Sequence, residues 1–408
     1  MPTPLGCGLV VSVIVLAGWM ALSDPPRLHL IDAKILQTEL PFMRHEGWET
    51  FGRRLETPSL CLDLDRFESN LLTMARSIAA KNKQWRPHSK CHKSPEIARQ
   101  QVAAEAIGVT CAKVSEAEVF ATEGIRDILI AHLPVGPARV DRISKLCQTA
   151  DVLVTCDHYA QAEPLAAACQ RLGVTCRVLV DINIGMNRTG ITPGRDALEL
   201  ARAIDRLPSL KLAGIMGYEG HAMPVMDAET KQRLIRESLG LLNQSRTQYL
   251  EAGLCCDIVS AGGTGSLSYA AEAEGITELQ SGGGIFGDPF YTRMPGVSGY
   301  EPALTVLCTV VSRPSLDRAI LDAGRKAITA EMHPPIVKGF PDAHVIMHNA
   351  EHIGLELGPA SRDLKIGDLV ELIVGYADFT AFLHDEFFCF RGDHLEAIWP
   401  IVGRGKIQ

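Results

Sequence analysis

Short β-branched runs alternate with longer amphipathic stretches along most of the chain, and this alternation restricts its fold more than any other feature. Segments such as Arg66–Lys81 and Asp196–Ile204 repeat apolar residues at helical spacing. Eight strand–helix units in series predict an α/β fold, a (β/α)8 barrel of the TIM type. The eight runs are Trp85–Lys90, Ile107–Lys113, Asp127–Leu133, Val152–Cys156, Cys176–Ile184, Leu212–Tyr218, Asp257–Ala261 and Glu278–Phe286.

A second pattern begins after about Pro295, where strand-like runs are separated by loops rather than by helices. A TIM-type barrel uses about 250 residues, so a chain of 408 residues has room for another domain. We therefore expect a barrel over residues 57–295 and a smaller β-rich domain over residues 296–408. The clearest runs of this domain are Thr305–Ser312, Ala319–Leu321, His344–His348 and Leu369–Val374.

The composition is that of a globular protein with a sizeable core, at 46% hydrophobic and 22% charged residues. The net charge of −8 and the lack of a basic block argue against a nucleic-acid-binding surface, because phosphate backbones are bound by clustered Lys and Arg. The 12 cysteines are scattered without CxxC pairs, which indicates reduced thiols. These features favour an enzyme over a nucleic-acid-binding protein.

An uncharged apolar run from Gly6 to Leu22 lies in the N-terminal region, residues 1–25. It is short for a membrane-spanning helix and lacks the basic residues that begin a signal peptide. As a membrane anchor it would leave the catalytic part in the cytoplasm, because Arg27 and Lys34 follow the run and no basic residue precedes it. As a cleaved signal, with a weak processing site at Ala21–Ser23, it would imply a secreted or periplasmic protein.

Three strand ends carry residues suited to a phosphorylated aldehyde cofactor. The first run ends at Lys90, and the last two runs lead into glycine-rich turns. Because barrel active sites lie at the carboxyl ends of the strands, the lysine and the turns should face one another. A lone lysine is usually solvated and tight turns need glycine for backbone reasons, but together they indicate pyridoxal 5′-phosphate (PLP). The turn residues are Gly263, Thr264, Gly265, Ser266, Gly282, Gly283 and Gly284.

Arg188 and Tyr218 follow the fifth and sixth runs and are candidates for contacts with the cofactor ring. Arg188 suits the ring oxygen or a substrate carboxylate, and Tyr218 suits the ring nitrogen. The alternatives are an ion pair between Asp181 and Arg188 and a core position for Tyr218. His132 also falls near a strand end, where a histidine is more often structural than catalytic.

Long segments of the chain resemble the D-threonine aldolase and D-serine dehydratase-like family, fold-type III PLP enzymes with an alanine racemase-like barrel. The resemblance implies that residues 26–56 partly join the β-domain and that the chain forms a homodimer. It also implies that Lys90 forms the Schiff base beside His88, with Arg188 and Tyr218 at the ring and the glycine turns at the phosphate. The segments are TPSLCLDLD, RPHSKCHKSPEIA, GVTCAKVSEAEV, DINIGMNRTGI, GYEGH, SAGGTGS, ELQSGGGIFGD, LHDEFF and WPIVGRGK.

One position departs from the family pattern. The resemblance implies a divalent metal, Mn or Mg, held near the substrate hydroxyl by a histidine and by an aspartate or cysteine two residues later. This chain has Tyr376 and Asp378 at those positions. A phenol with an ordinary pKa near 10 is a poor ligand at neutral pH, so the site is weakened, rebuilt or lost, with Asp378 and His384 as the remaining candidate ligands.

The leading hypothesis is a PLP-dependent lyase that cleaves a D-3-hydroxy amino acid into glycine and an aldehyde. Asp378, rather than a cysteine, at the second ligand position favours an aldolase over a D-serine or D-3-hydroxyaspartate dehydratase. A racemase with Tyr376 as acid or base is a further alternative. Outside this class stand a non-catalytic PLP-binding protein, against which the β-domain argues, and a metal-dependent barrel enzyme without PLP.

Overall fold

The computed structural model of the chain describes residues 55–408. The apolar run at residues 6–22 and nearly all of the segment 26–56 lie outside the described residues, so the expectations for them stay predictions. From residue 55 onward, no helix is long and apolar enough to cross a membrane.

Strands and helices alternate from residue 59 to residue 292. The strands are β1 (Ser59–Asp63), β2 (Gln84–Trp85), β3 (Val109–Cys111), β4 (Asp127–Ile130), β5 (Asp151–Cys156), β6 (Cys176–Asp181), β7 (Leu210–Met216), β8 (Ile258–Ala261) and β9 (Glu278–Leu279). The helices are α1 (Leu64–Ala79), α2 (Pro95–Ala103), α3 (Val114–Thr122), α4 (Pro137–Leu146), α5 (Tyr159–Leu172), α6 (Arg195–Asp205), α7 (Ala228–Glu251), α8 (Leu267–Ala270) and α9 (Pro289–Thr292).

Strands β2 to β9 form a parallel ring, which confirms the predicted barrel. Their hydrogen-bonded order is β2-β9-β8-β7-β6-β5-β4-β3. The ring closes between β2 and β3, where the Ile107 N–H donates to the Trp85 carbonyl at 2.9 Å and the Thr110 N–H donates to the Pro87 carbonyl at 2.8 Å. All eight runs overlap one of these strands. Six of the strands end earlier than their runs and leave polar residues in the loops, whereas β5 and β8 end where their runs end.

The barrel strands are apolar on both faces because both faces are covered. Leu129, Leu153 and Leu179 pack together inside the ring, whereas Ile128 and Val152 on the same strands belong to the core beneath the helices. A strand buried on both sides reads as a continuous apolar run rather than as an alternating one. This is why the runs stand out in the sequence.

A buried polar network fixes several strands of the ring. The Arg86 side chain is 1% exposed, and its Nε donates to Glu278 Oε2 at 2.9 Å while Nη1 donates to Asp127 Oδ1 at 2.5 Å. Ser260 donates to the other Glu278 oxygen at 2.7 Å. The network thus joins β4, β8 and β9 to the residue that follows β2, which carries the lysine loop.

The β-rich domain follows the barrel, as predicted. Its strands are β10 (Leu304–Ser315), β11 (Arg318–Leu321), β12 (Ile336–Val337), β13 (Ala343–His348), β14 (Ile353–Leu357), β15 (Leu369–Ile373), β16 (Glu386–Arg391) and β17 (His394–Pro400). The four predicted runs correspond to β10, β11, β13 and β15, and the other four strands were not predicted. The short strands β12 and β14 lack a long β-branched run to mark them.

Strand β1 belongs to the second sheet. It lies inside the range 57–295 that the sequence pattern assigns to the barrel, but it pairs antiparallel with β10 at Leu62 and Leu304 and parallel with β16 at Cys61 and Phe388. A single short strand before the first helix carries no periodicity that reveals its sheet, because sheet membership depends on partners distant in sequence. The other domain boundaries stay predictions.

Candidate active site

A cavity of about 380 Å³ opens at the carboxyl ends of the barrel strands and is covered by one loop of the β-domain. Its wall brings together most of the residues singled out in the sequence: His88, Lys90, Arg188, Tyr218, Gly263, Thr264, Gly282, Gly283 and Asp378. Gly265, Ser266 and Gly284 are buried beside that wall, and Tyr376 lines an adjoining groove together with Lys90 and Asp378. The wall also contains residues to which the sequence gave no role, including Lys113, Gln280 and Tyr291.

Lys90 lies in a short turn that places its amine in the cavity. A 3₁₀ turn at Ser89–Cys91 follows β2, and the Lys90 N–H donates to Nδ1 of His88 at 3.4 Å. Burial and the charges of Lys90 and Arg188 hold the pKa of His88 well below its usual range, so its ring is neutral and accepts this bond. The Lys90 side chain is 47% exposed, and Nζ lies 3.5 Å from Oδ2 of Asp378.

The neighbouring lysine is engaged elsewhere. Lys93 forms a close ion pair with Glu116, whose side chain is fully buried. Breaking a buried pair leaves an uncompensated charge, which costs about 3–5 kcal/mol. Lys93 is therefore a structural residue, whereas the Lys90 amine is open to the cavity.

The Arg188 guanidinium lies over the Tyr218 ring at the mouth of the barrel. The guanidinium carbon of Arg188 lies 5.7 Å from the centroid of the Tyr218 ring. Burial and the neighbouring Glu219 raise the pKa of Tyr218, so the phenol stays protonated. The alternative ion pair between Asp181 and Arg188 does not form, because Oδ2 of Asp181 accepts from the Thr189 hydroxyl at 2.8 Å and the structure places no carboxylate of residues 55–408 against the guanidinium. Arg188 is thus available to a bound anion.

Asp181 gives rise to a pH-dependent prediction. Burial raises the pKa of Asp181 to about 6, against about 3.9 in an unfolded chain. Its contribution to the free energy of unfolding is therefore most favourable below pH 4 and is lost as the pH rises through 6. Asp181→Asn keeps an acceptor for Thr189 but carries no charge. The free energy of unfolding of D181N minus that of wild type should rise from near zero at pH 4 to about 2–3 kcal/mol at pH 7. Urea unfolding at several pH values measures it, and a difference independent of pH would contradict the assignment.

The two glycine turns meet each other and the lysine loop. The Gly284 N–H donates to the Thr264 hydroxyl at 3.0 Å, and the Gly263 N–H donates to the Ser266 hydroxyl at 3.0 Å. A Cβ on Gly282 would lie 2.4 Å from the His88 carbonyl oxygen, so only glycine allows this approach. The turns form a recess lined by backbone. The N–H groups of Gly263 and Gly284 already donate to hydroxyl groups of the turns.

A loop of the β-domain places Asp378 over the lysine. Asp288, which is 1% exposed, accepts from the Ala377 N–H and from the Tyr291 N–H, both at 3.1 Å, and so ties this loop to the end of the barrel. Burial raises the pKa of Asp288 to about 8. Asp378 is also buried, and its Oδ1 has no hydrogen-bond partner. An unpaired carboxylate oxygen at this position indicates a group that awaits a donor.

Tyr376 packs in an aromatic cluster at the edge of the cavity, beside Lys90 and Asp378. Its ring centroid lies 4.6 Å from that of Phe290 and 4.9 Å from that of Phe379. Burial and the nearby Asp378 carboxylate raise the pKa of its phenol. The phenol is therefore protonated at neutral pH, and its ring stabilises the loop that carries Asp378.

The donor set around Asp378 does not fit a divalent metal. A phenol stands where the family pattern has a histidine, and His384 donates from Nε2 to the Ala327 carbonyl at 2.7 Å. Over residues 55–408, no group of three or more His, Cys, Asp or Glu side chains could hold a metal ion. Divalent metals in proteins are usually held by several such ligands.

The chain matches two family models in tandem: "Alanine racemase, N-terminal domain" over residues 62–289 and a serine dehydratase domain over residues 303–390. It is 36% identical to D-threonine aldolase of Arthrobacter sp over 354 residues, which cover 86% of this chain and 93% of that protein. It is 33% identical over 364 residues to 3-hydroxy-D-aspartate aldolase of Paracoccus denitrificans (strain Pd 1222), again covering 86% and 93%.

A solved structure gives the same result. The crystal structure of D-threonine aldolase from Filomicrobium marinum superposes with a TM-score of 0.84 at 35% identity, covering 87% of this chain and 97% of that one. Identity at this level extends through both the barrel and the β-domain. The chain therefore belongs to the D-threonine aldolase and D-serine dehydratase-like family and is a PLP-dependent lyase.

Proposed function

We propose that the protein cleaves the Cα–Cβ bond of D-3-hydroxy amino acids and releases glycine and an aldehyde. One observation carries this proposal: the Lys90 amine and the Asp378 carboxylate meet in the cavity, with Nζ 3.5 Å from Oδ2 and with Oδ1 unpaired. The amine suits the aldehyde of PLP, and the free carboxylate oxygen suits the hydroxyl of a substrate bound there.

The residues around the cavity fit PLP. Lys90 would hold the aldehyde, the recess between the glycine turns would take the phosphate, and Arg188 and Tyr218 would contact the ring. When bound, PLP supplies an electron sink for the pair left on Cα. His88 holds the backbone N–H of Lys90 and so orients the turn that carries the amine.

Asp378 carries out the proton transfer that bond cleavage requires. Its Oδ1 accepts the proton of the substrate β-hydroxyl while the C–O single bond becomes a carbonyl and the Cα–Cβ bond breaks. The aldehyde then leaves, and Lys90 returns a proton to Cα to complete glycine. The proton held by Asp378 passes to the Lys90 amine, 3.5 Å away, and both groups regain their starting states. Asp288 holds the loop that fixes Asp378 in place.

Product identification tests the proposal. The purified protein, supplied with PLP, is incubated with D-threonine, D-3-hydroxyaspartate and D-serine and with their L-enantiomers. We expect glycine and the matching aldehyde from the D-3-hydroxy substrates. A 2-oxo acid with ammonia would establish the dehydratase, which the match to a serine dehydratase domain favours as the second candidate. Inverted substrate would establish a racemase.

The position of Tyr376 predicts a weak response to metals. Because a protonated phenol replaces the expected imidazole, chelator should reduce activity less than twofold, and Mn²⁺ should restore no more than that. Tyr376→His supplies the missing ligand two residues from Asp378, so activity in Y376H should rise with added Mn²⁺. Tyr376→Phe is the matched control. Tight stoichiometric metal in the wild-type protein, measured by elemental analysis, would contradict this prediction.

We also propose that the protein is a homodimer. Large apolar side chains are exposed beside the mouth of the barrel, at Phe379, Phe382 and Ile407. A second copy covering them would bury apolar surface and narrow access to Lys90. Light scattering measures the mass in solution, and a monomer at micromolar concentration would contradict the proposal.

A further inference from the structure

Two residues without an assigned function line the side of the cavity opposite the glycine turns. Lys113 follows β3 and His132 follows β4, and both line the cavity. Since the ring runs β8-β9-β2-β3-β4 past its closure, Lys90 lies between the glycine turns on one side and this pair on the other. A molecule attached at Lys90, with its phosphate in the turns, would turn its other end toward Lys113 and His132.

Lys113 and His132 lie within hydrogen-bonding distance of each other. Nζ of Lys113 lies 3.5 Å from Nε2 of His132. Burial and the charges of Lys113 and Arg188 lower the pKa of His132, so its ring is neutral and can accept from the ammonium. The ammonium keeps two further protons for another acceptor.

The backbone of Lys113 is fixed, but its charge is not neutralised. Glu116 accepts from the Ala112 N–H at 2.7 Å and from the Lys113 N–H at 3.0 Å, and its charge is paired with Lys93. Between residues 55 and 408, no carboxylate forms an ion pair with Lys113 or Arg188. Lys113, just after β3, thus presents a cation to the cavity that no carboxylate of residues 55–408 neutralises.

We propose that Lys113, supported by His132, binds a carboxylate of the amino-acid substrate. This inference rests on the proposed function and adds the substrate contact. A charge-assisted hydrogen bond from an ammonium to a carboxylate contributes about 1.5–3 kcal/mol, which exceeds a neutral contact. The carboxylate is either the α-carboxylate, present in every substrate, or a side-chain carboxylate, in which case the site selects dicarboxylic 3-hydroxy amino acids.

A binding experiment separates these two sources. D-Alanine and D-aspartate both lack a β-hydroxyl, so they can perturb the cofactor absorbance without being cleaved, and only D-aspartate has a second carboxylate. In Lys113→Met, we expect the Kd to rise at least about tenfold, which corresponds to 1.4 kcal/mol. A rise for both ligands assigns the α-carboxylate, and a rise for D-aspartate alone assigns the side-chain carboxylate. Lys113→Arg should recover part of the loss.

A lysine outside the cavity provides the control variant. Lys211→Met removes an exposed lysine near the start of β7, at the opposite end of the barrel, and should change neither Kd. Unchanged Kd values for both ligands in K113M would overturn the assignment, as would loss of the cofactor absorbance before any ligand is added. If the cofactor absorbance of wild type responds to neither amino acid, the proposed function itself fails. If wild type and K113M both respond with equal Kd values, only the role of Lys113 fails.

Discussion

Lys90→Ala should abolish cleavage of D-3-hydroxy amino acids, with a loss of roughly 10³-fold or more, because it removes both the anchor for the cofactor aldehyde and a proton donor. The amine is open to the cavity and lies 3.5 Å from Asp378. Reduction of the wild-type protein with borohydride should fix the cofactor to Lys90. Peptide mass spectrometry locates the adduct, and the K90A protein should carry none.

Lys93→Ala is the matched control, three residues away. Because Lys93 pairs with the buried Glu116, its loss should lower the free energy of unfolding by about 3–5 kcal/mol while the adduct stays on Lys90. An adduct on Lys93 or Lys113, or none in wild type, would refute the assignment of Lys90.

Asp378→Asn should lower kcat by roughly 10²–10⁴-fold, the usual contribution of a general base, with a smaller change in KM. The amide keeps the volume of the side chain but cannot accept the proton of the β-hydroxyl. Steady-state kinetics with D-threonine and D-3-hydroxyaspartate measure the effect, and the cofactor absorbance shows whether the site remains loaded.

The control for Asp378 is Asp393→Asn, which changes an exposed aspartate in the loop between β16 and β17. It should leave kcat within about twofold of wild type, since surface substitutions rarely disturb more than their surroundings. If D378N retains full kcat with its cofactor bound, proton transfer must be assigned to another group in the cavity wall.

The barrel could be predicted because parallel strands covered on both faces leave an unmistakable apolar run. Four strands of the β-domain were not predicted, and one of them, Ile336–Val337, is too short to show a period. The place of β1 depends on pairing with Leu304–Ser315, far along the chain, which no local pattern records.

Barrel active sites lie at the carboxyl ends of the strands, and this rule predicted the position of Lys90 and the glycine turns because it depends on chain order alone. It could not place Asp288, whose role depends on hydrogen bonds to a loop some 90 residues later, or predict that Tyr376 packs against Phe290. Contacts of this kind follow from how the two domains pack against each other. Lys113 was passed over because a single lysine after a strand has a solvated side chain as its usual interpretation.

The placement of β1 between β10 and β16 affects the order in which the protein is synthesised and folds. Residues 59–63 leave the ribosome early, yet their partners at 304–307 and 388–390 emerge only after the whole barrel has been made. The barrel can therefore form on the nascent chain before β10 and β16, the partner strands of β1, have been synthesised. Since Asp378, the proposed base, is synthesised with that late sheet, a partly synthesised chain with a formed barrel still lacks it. The edges of β1 stay unpaired until β10 and β16 have been made.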